Sequence, residues 1–229
     1  MSKEINVTLK KGVFKPTGTS DILIKSTLKH IKKPSKILDL GCGSGYVGIT
    51  IDRNSKHKTK HYFSDISNKA TNLTKKNLKK NNMIHTVKAG SLFKPWANKK
   101  FDIIVNDVSG ISSKIAKISP WYKNKVPYNT GLDGTDLTIK ILDEASDYLN
   151  KKGFIIFPLI SLCDYKKIKN FAKKKFKIVK KIGSKTWPLP AEMYRYKSMI
   201  NTLNKKKKIF VTNKFGLILF KTDIYIAKN

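Results

Sequence analysis

Arginine and acidic residues are what this chain has least of. Of its 229 residues 48 are basic, yet only Arg53 and Arg195 are arginine, and 15 are acidic. The guanidinium fork is the preferred partner of phosphate and of guanine edges, so a reader of nucleic-acid grooves is expected to carry more of it. The net charge of +33 still attracts polyanions. The lysine excess comes with many Asn and Ile residues, and all three share A/T-rich codons. Codon bias therefore accounts for the charge as well as a polyanion partner does. Cysteine is equally scarce. Cys42 and Cys163 are far apart with no C-x-x-C pair, which argues against a disulfide framework and a cysteine zinc site. His30, His57, His61 and His85 form no H-x-x-x-H pattern, so no metal site is expected. No apolar run is long enough to span a bilayer, and the first residues lack the apolar stretch of a secretory signal. The expected setting is the cytoplasm, without a membrane partner.

What is present supports a sizeable core: 40% hydrophobic and 10% aromatic residues, enough for one large domain or one domain with an appendage. Residues 1–35 read as a polar lead-in followed by an amphipathic helix, with Ser20 and Asp21 as candidate starts. Short apolar strands are expected at 36–40, 61–65, 86–89, 101–105, 154–158 and 176–182. Helices are expected at 46–53, 68–81, 137–149 and 165–175. A loop runs from Asn106 to about Asp133, long enough to suggest function. Two strand-like runs, Gly216–Phe220 and Asp223–Ala227, close the chain without a helix between them, as a hairpin or one long strand at the sheet edge. Alternating strands and helices call for a mostly parallel sheet with helices on both faces, an α/β fold.

The most informative segment is Asp39-Leu40-Gly41-Cys42-Gly43-Ser44-Gly45, between the first strong strand and a helix. Glycines serve where the chain turns sharply and where backbone must approach a ligand, and the N–H groups of the following helix point into the same crevice. Asp65 ends the next strand, where a carboxylate can bind a ribose diol. The spacing is G-x-G-x-G, not the dinucleotide G-x-G-x-x-G. Asp39 suits an ammonium group better than a pyrophosphate. A ligand with ribose, adenine and an amino-acid ammonium fits, which describes S-adenosylmethionine (SAM).

These residues resemble the class I SAM-dependent methyltransferases. The resemblance implies a Rossmann-like seven-stranded sheet with an antiparallel last strand. It also implies that Asp39 contacts the methionine ammonium, that Gly41, Cys42, Gly43 and Gly45 line the loop, and that Asp65, with Ile66, holds the ribose. Three further segments narrow the likeness to the release-factor glutamine and small-domain methyltransferase group over residues 13–160: Val13–Ser20, Phe101–Asp107, and Val126-Pro127 with Gly131-Leu132-Asp133-Gly134. In that group the first of these folds over the cofactor, which adds Thr19 to the cofactor residues. Ser91 stands where relatives place an acid for the adenine amine, and Leu92 beside it joins the cofactor residues.

The departure from the group is at the acceptor motif. Asp107-Val108-Ser109-Gly110 stands where the group has N-P-P-Y, so the aromatic and both prolines are missing. An ionised Asp only accepts hydrogen bonds. Asp107, with Asn106 beside it, can accept from an N–H or O–H nucleophile but cannot donate to a glutamine carbonyl. Both are the candidate catalytic residues, and Ser109 and Gly110 the candidate acceptor contacts. Two aromatic-rich stretches complete the candidate acceptor surface: Trp121 and Tyr128 in the 112–130 loop, and Trp187, Tyr194 and Arg195 in an insert at 183–215 that also carries Lys205 to Lys208.

The expected organisation is a lead-in and helix over residues 1–35 that cover the cofactor, then a methyltransferase domain over 36–229. The expected activity is methyl transfer from SAM to a nitrogen or other heteroatom, with a protein or peptide acceptor favoured over RNA or DNA. A non-catalytic SAM- or nucleic-acid-binding module is the third reading.

Overall fold

The computed structural model describes residues 4–108, 110–123, 126, 128 and 130–229. The predicted site residue Ser109 and the predicted Pro127 lie outside them. The elements follow in order as α1 (Gly18–His30), β1 (Ser35–Leu40), α2 (Tyr46–Asn54), β2 (Thr59–Asp65), α3 (Asn68–Lys80), β3 (Thr86–Ala89), β4 (Phe101–Asn106) and α4 (Ser113–Ile118). After these come α5 (Asp136–Ala145), β5 (Leu149–Ile160), α6 (Tyr165–Lys175), β6 (Ile178–Pro188), α7 (Lys197–Lys205), β7 (Thr212–Lys214) and β8 (Leu217–Lys228).

The sheet order is β3-β2-β1-β4-β5-β8-β6, with the short β7 also on β8. The strands from β3 to β5 pair in parallel, and β8 runs antiparallel to both β5 and β6. This is the expected α/β Rossmann-like architecture. One detail differs: the closing runs form a single strand that is not at the edge. Ile224 and Ile226 pack with Leu23, Val47 and Ile156 on one face, while Tyr225 and Ala227 join Phe157 and Ile168 on the other. A strand apolar on both faces is stable only inside a sheet. The edge falls to β6, whose exposed Lys180, Lys181 and Lys185 discourage further pairing.

Two other expectations shift. The 106–133 stretch contains α4 and a 3₁₀ turn at Pro120–Tyr122. The first residues of the 183–215 insert belong to β6, so the insert proper begins after Pro188. Together these segments bury a core of their own, with Ile111, Ile115, Tyr122, Met193, Ile200 and Phe220. Helix α1 starts earlier than Ser20, because Thr17 caps it: the Thr17 hydroxyl accepts from Thr19 N, and Ser20 Oγ accepts from Thr17 N.

The lead-in is held down by two asparagines of the α3 end. Asn77 accepts from Thr8 N at 3.0 Å and donates to the carbonyls of Thr8 (3.0 Å) and Ser44 (2.8 Å). Asn81 bonds Asn6 N–H and C=O in the same way. The side-chain amides thus act as one rung of a ladder for a segment with no strand beside it. Asn77→Ala would leave three backbone groups without these bonds. It is expected to cost about 2–4 kcal/mol in urea unfolding and to open Lys10 and Lys11 to trypsin.

Candidate active site

Strands β1, β2 and β4 end side by side, and their C-terminal ends carry the predicted acids. The loop after β1 is drawn against β2: Gly41 N and Cys42 N both donate to the Ser64 carbonyl, at 2.8 and 3.0 Å. Gly41, Gly43 and Gly45 all have positive φ. A Cβ on Gly41 would stand 2.3 Å from Val108 Cγ2, so the loop touches the β4 end closely. At Gly43 a Cβ would find nothing nearer than the Phe14 carbonyl at 3.7 Å, which leaves an open cradle above the backbone.

Over this loop lies a cavity of about 360 Å³. Its floor is residues 40–44, its sides are 64–67 and 90–92, and its far end is Asp107 and Val108. Gly12, Val13, Phe14 and Pro16 of the lead-in close it, with Ser20. Asp65 has both oxygens engaged by backbone, from Gly43 N at 3.0 Å and Ser67 N at 2.8 Å. Burial nevertheless holds its pKa above the usual carboxylate range. Ser44 and Ser64, both in the wall, have buried hydroxyls without a partner.

A second cavity, about 350 Å³, lies on the other side of Asp107. Phe14, Trp121, Tyr122, Trp187, Phe220 and several prolines wall it. The two cavities share Phe14, Asp107, Val108 and Tyr122. Asp107 is therefore the one acidic side chain, among the described residues, that faces both. Its Oδ2 accepts from Ser20 Oγ at 2.6 Å. Burial raises its pKa to about 6, against the lowering effect of the Ser20 hydroxyl.

The structure sorts the predicted residues. Gly41, Cys42, Gly43, Asp65, Ile66, Ser91 and Leu92 line the first cavity. Gly45 does not: it caps α2 with left-handed backbone behind the loop. Asp39 does not either. Its Oδ2 accepts from Gly48 N at 2.9 Å in the first turn of α2, and Oδ1 is buried without a partner. Burial, offset by the Gly48 N–H, raises its pKa to about 7. Asp39 thus braces the loop from beneath, because β1 alternation turns its side chain to the α2 face. Thr19 lies in the second cavity, with its hydroxyl 3.2 Å from that of Thr222.

On the acceptor side, Trp121 and Trp187 line the second cavity, but Tyr128 lines the first. Gly110, Tyr194, Arg195 and Asn106 line neither. Gly110 is packed 2.9 Å (as a would-be Cβ) from Thr138 Oγ1, and the Tyr194 hydroxyl accepts from Ile218 N at 2.9 Å. Arg195 stacks over Tyr196, and Asn106 accepts from Val108 N at 3.0 Å. Residues that sequence reasoning undervalued are Phe14, Ser20 and Tyr122. Ser20 carried a helix-start signal but none for its contact with Asp107. Where the motif has no aromatic at Gly110, the rings near Asp107 come from four other segments, which no local motif reveals.

The cofactor expected from the sequence fits the first cavity. The open Gly43 cradle, the unpartnered Ser44 and Ser64 hydroxyls, and Asp65 and Asp107 suit a molecule with sugar hydroxyls and a positive charge. Ile66 and Leu92 offer apolar contact to a flat ring.

The sequence matches the methyltransferase small domain family over residues 4–107. A release factor glutamine methyltransferase of Borreliella burgdorferi is 32% identical over 178 residues, 75% of this chain and 61% of that protein. The chain thus spans less than two thirds of the length of this relative. Among solved structures, a methyltransferase from Pyrococcus furiosus superposes with a TM-score of 0.61 at 16% identity, covering 98% of this chain and 89% of that one. A Thermus thermophilus 16S rRNA N2 G1207 methyltransferase, in complex with AdoMet and guanosine, superposes with a TM-score of 0.58 at 14% identity, covering 94% of this chain and 44% of that one. With the glycine loop, the sheet order and the cavity over that loop, these matches give the chain the Rossmann-like fold of the class I S-adenosylmethionine-dependent methyltransferases and a sequence likeness to methyltransferases over its N-terminal half.

Proposed function

We propose that this protein transfers the methyl group of SAM to a heteroatom of a protein acceptor held in the second cavity. The meeting of the two cavities at Asp107 carries this reading. SAM supplies an already activated methyl, so the protein must align, orient and exclude water. Gly41 to Ser44 and Asp65 hold the cofactor in this reading, and Asp107 receives the acceptor hydrogen. Phe14 and Tyr122 wall both cavities beside Asp107.

A protein acceptor is supported by the likeness to a release factor glutamine methyltransferase. The RNA or DNA alternative rests on the charge. Lys75, Lys76, Lys79 and Lys80 of α3 and Lys173 to Lys175 of α6 are exposed, and no Lys or Arg lines either cavity among the described residues. The test is transfer of labelled methyl from SAM into cell extract, split into protein, nucleic-acid and small-molecule fractions. Label in protein supports the reading, and label in nucleic acid replaces it with the alternative.

Cofactor affinity should depend on pH. Asp107 and Asp65 have raised pKa values, so without ligand both lose charge as the pH falls. A cation in the cavity favours the ionised acids, so binding releases protons and tightens as the pH rises through about 6. Calorimetry is expected to show about tenfold weaker SAM binding at pH 5 than at pH 7.5, because a carboxyl at a pH one below its pKa is only about one tenth ionised. An affinity flat across that range would contradict the arrangement.

A further inference from the structure

We propose that the acceptor group admitted by the second cavity is a basic primary amine, a lysine ε-amine or a chain-terminal amine, and not a side-chain amide. This rests on the protein-methyltransferase reading.

The cavity walls present aromatic rings from four segments. Phe14 comes from the lead-in, Trp121 and Tyr122 from the 3₁₀ turn, Trp187 from β6 and Phe220 from β8. Trp121 and Phe220 meet edge to face, with centroids 5.7 Å apart, and Phe14 lies 5.3 Å from Tyr122. Ring faces attract ammonium groups. Trp187 already carries one, with Lys185 Nζ 4.2 Å from its centroid.

Charge points the same way. Among the described residues lining this cavity, Asp107 is the one charged side chain. In a chain with 48 basic residues, the cavity itself is free of them, so it selects a cation by sign. No described lining residue offers a backbone phosphate a cation, and Lys185, over the Trp187 ring, is not in the lining.

Hydrogen bonding separates amine from amide. Thr17 N donates to Ser20 Oγ at 3.2 Å, so the Ser20 hydroxyl proton is the one that serves Asp107, 2.6 Å away. Asp107 is thereby fixed as an acceptor, with Oδ1 left for the substrate. An amide also needs a donor for its carbonyl. Among the described residues the unpartnered N–H groups of Asn106 and Trp187 have almost no accessible surface, and the Thr19 hydroxyl in the cavity wall is 3.2 Å from that of Thr222. An amine needs no such donor.

The step balances. The bound ammonium loses one proton to Asp107, aided by repulsion from the sulfonium in the adjoining cavity. The nitrogen lone pair then bonds to the methyl carbon as the carbon–sulfur bond breaks, and that pair stays on sulfur. The product is a secondary ammonium, and Asp107 returns its proton to solvent on product release.

The full chain is incubated with extract and SAM labelled in its methyl, and the labelled protein is hydrolysed in hot acid. An N-methylated amine survives hydrolysis, whereas an N-methylated amide releases volatile methylamine. The expected result is non-volatile label co-migrating with Nε-methyl-lysine or an Nα-methyl amino acid, which also tells the two amine sources apart. Volatile methylamine, or methanol from an ester, overturns the amine assignment and leaves the methyltransferase reading standing. Label only in nucleic acid, or no label from a chain that binds SAM in calorimetry, overturns both. Asp107→Asn is expected to lower protein labelling at least a hundredfold. Undiminished labelling by that variant also overturns the amine assignment.

Discussion

Alanine in place of Asp107 is expected to slow methyl transfer by a factor on the order of 10² to 10⁴, the usual range for a positioned proton acceptor. Asp107 holds its place through one hydrogen bond to Ser20 and through the end of β4, so its loss leaves both cavity walls otherwise intact. Cofactor affinity should fall far less, by about tenfold or under, since Asp65 and the loop remain. Single-turnover kinetics beside calorimetric titration separates the two effects. The wild-type rate should rise with pH through about 6 as Asp107 ionises, and this rise should vanish from any residual activity of the variant. A rate near wild type in the variant would remove Asp107 from the chemistry and leave it a brace for α1.

The second large effect is on the fold. Gly134→Ala is expected to destabilise the protein by about 3–5 kcal/mol, from left-handed backbone strain plus overpacking. Gly134 has φ +77°, and its Cβ would stand 2.4 Å from Ile111 C and 2.5 Å from Ser112 N. Both are backbone atoms, so no side chain can swing aside. The turn is a clasp: Ser112 Oγ donates to the Leu132 carbonyl, Asp164 N to the Asp133 carbonyl, and Lys167 Nζ to Asp133 Oδ2. It ties α4, and with it the Trp121–Tyr122 wall, to the start of α6. Urea unfolding should show the loss. A midpoint unchanged from wild type would mean the backbone yields more than its packing suggests.

That clasp marks where sequence reading stopped. Gly131-Leu132-Asp133-Gly134 was recognisable by resemblance, but its role was not, because its partners are at 112, 164 and 167. The same holds for Asp39. Its place before the glycine loop suggested a ligand contact, and the alternation of β1 turned it beneath the loop to Gly48. Gly110, Tyr194 and Arg195 sat in promising composition yet pack or project away from both cavities.

The chain alone determined what depends on neighbours in sequence. Apolar periods located β1 to β4 and α2, α3 and α6 to within a few residues, since burial of one face is a local pattern, whereas α4 and α7 were not expected. Glycine spacing and the two acids at strand ends indicated the cofactor, because a turn at a strand end needs particular residues at fixed offsets. Tertiary structure decided what depends on distant segments meeting. β8 lies inside the sheet because both its faces find apolar cover. The second cavity takes its rings from residues 14, 121, 122, 187 and 220, which no spacing rule connects. The acid between the cavities is set by a hydroxyl 87 residues away, a contact that exists only once α1 has docked on the sheet.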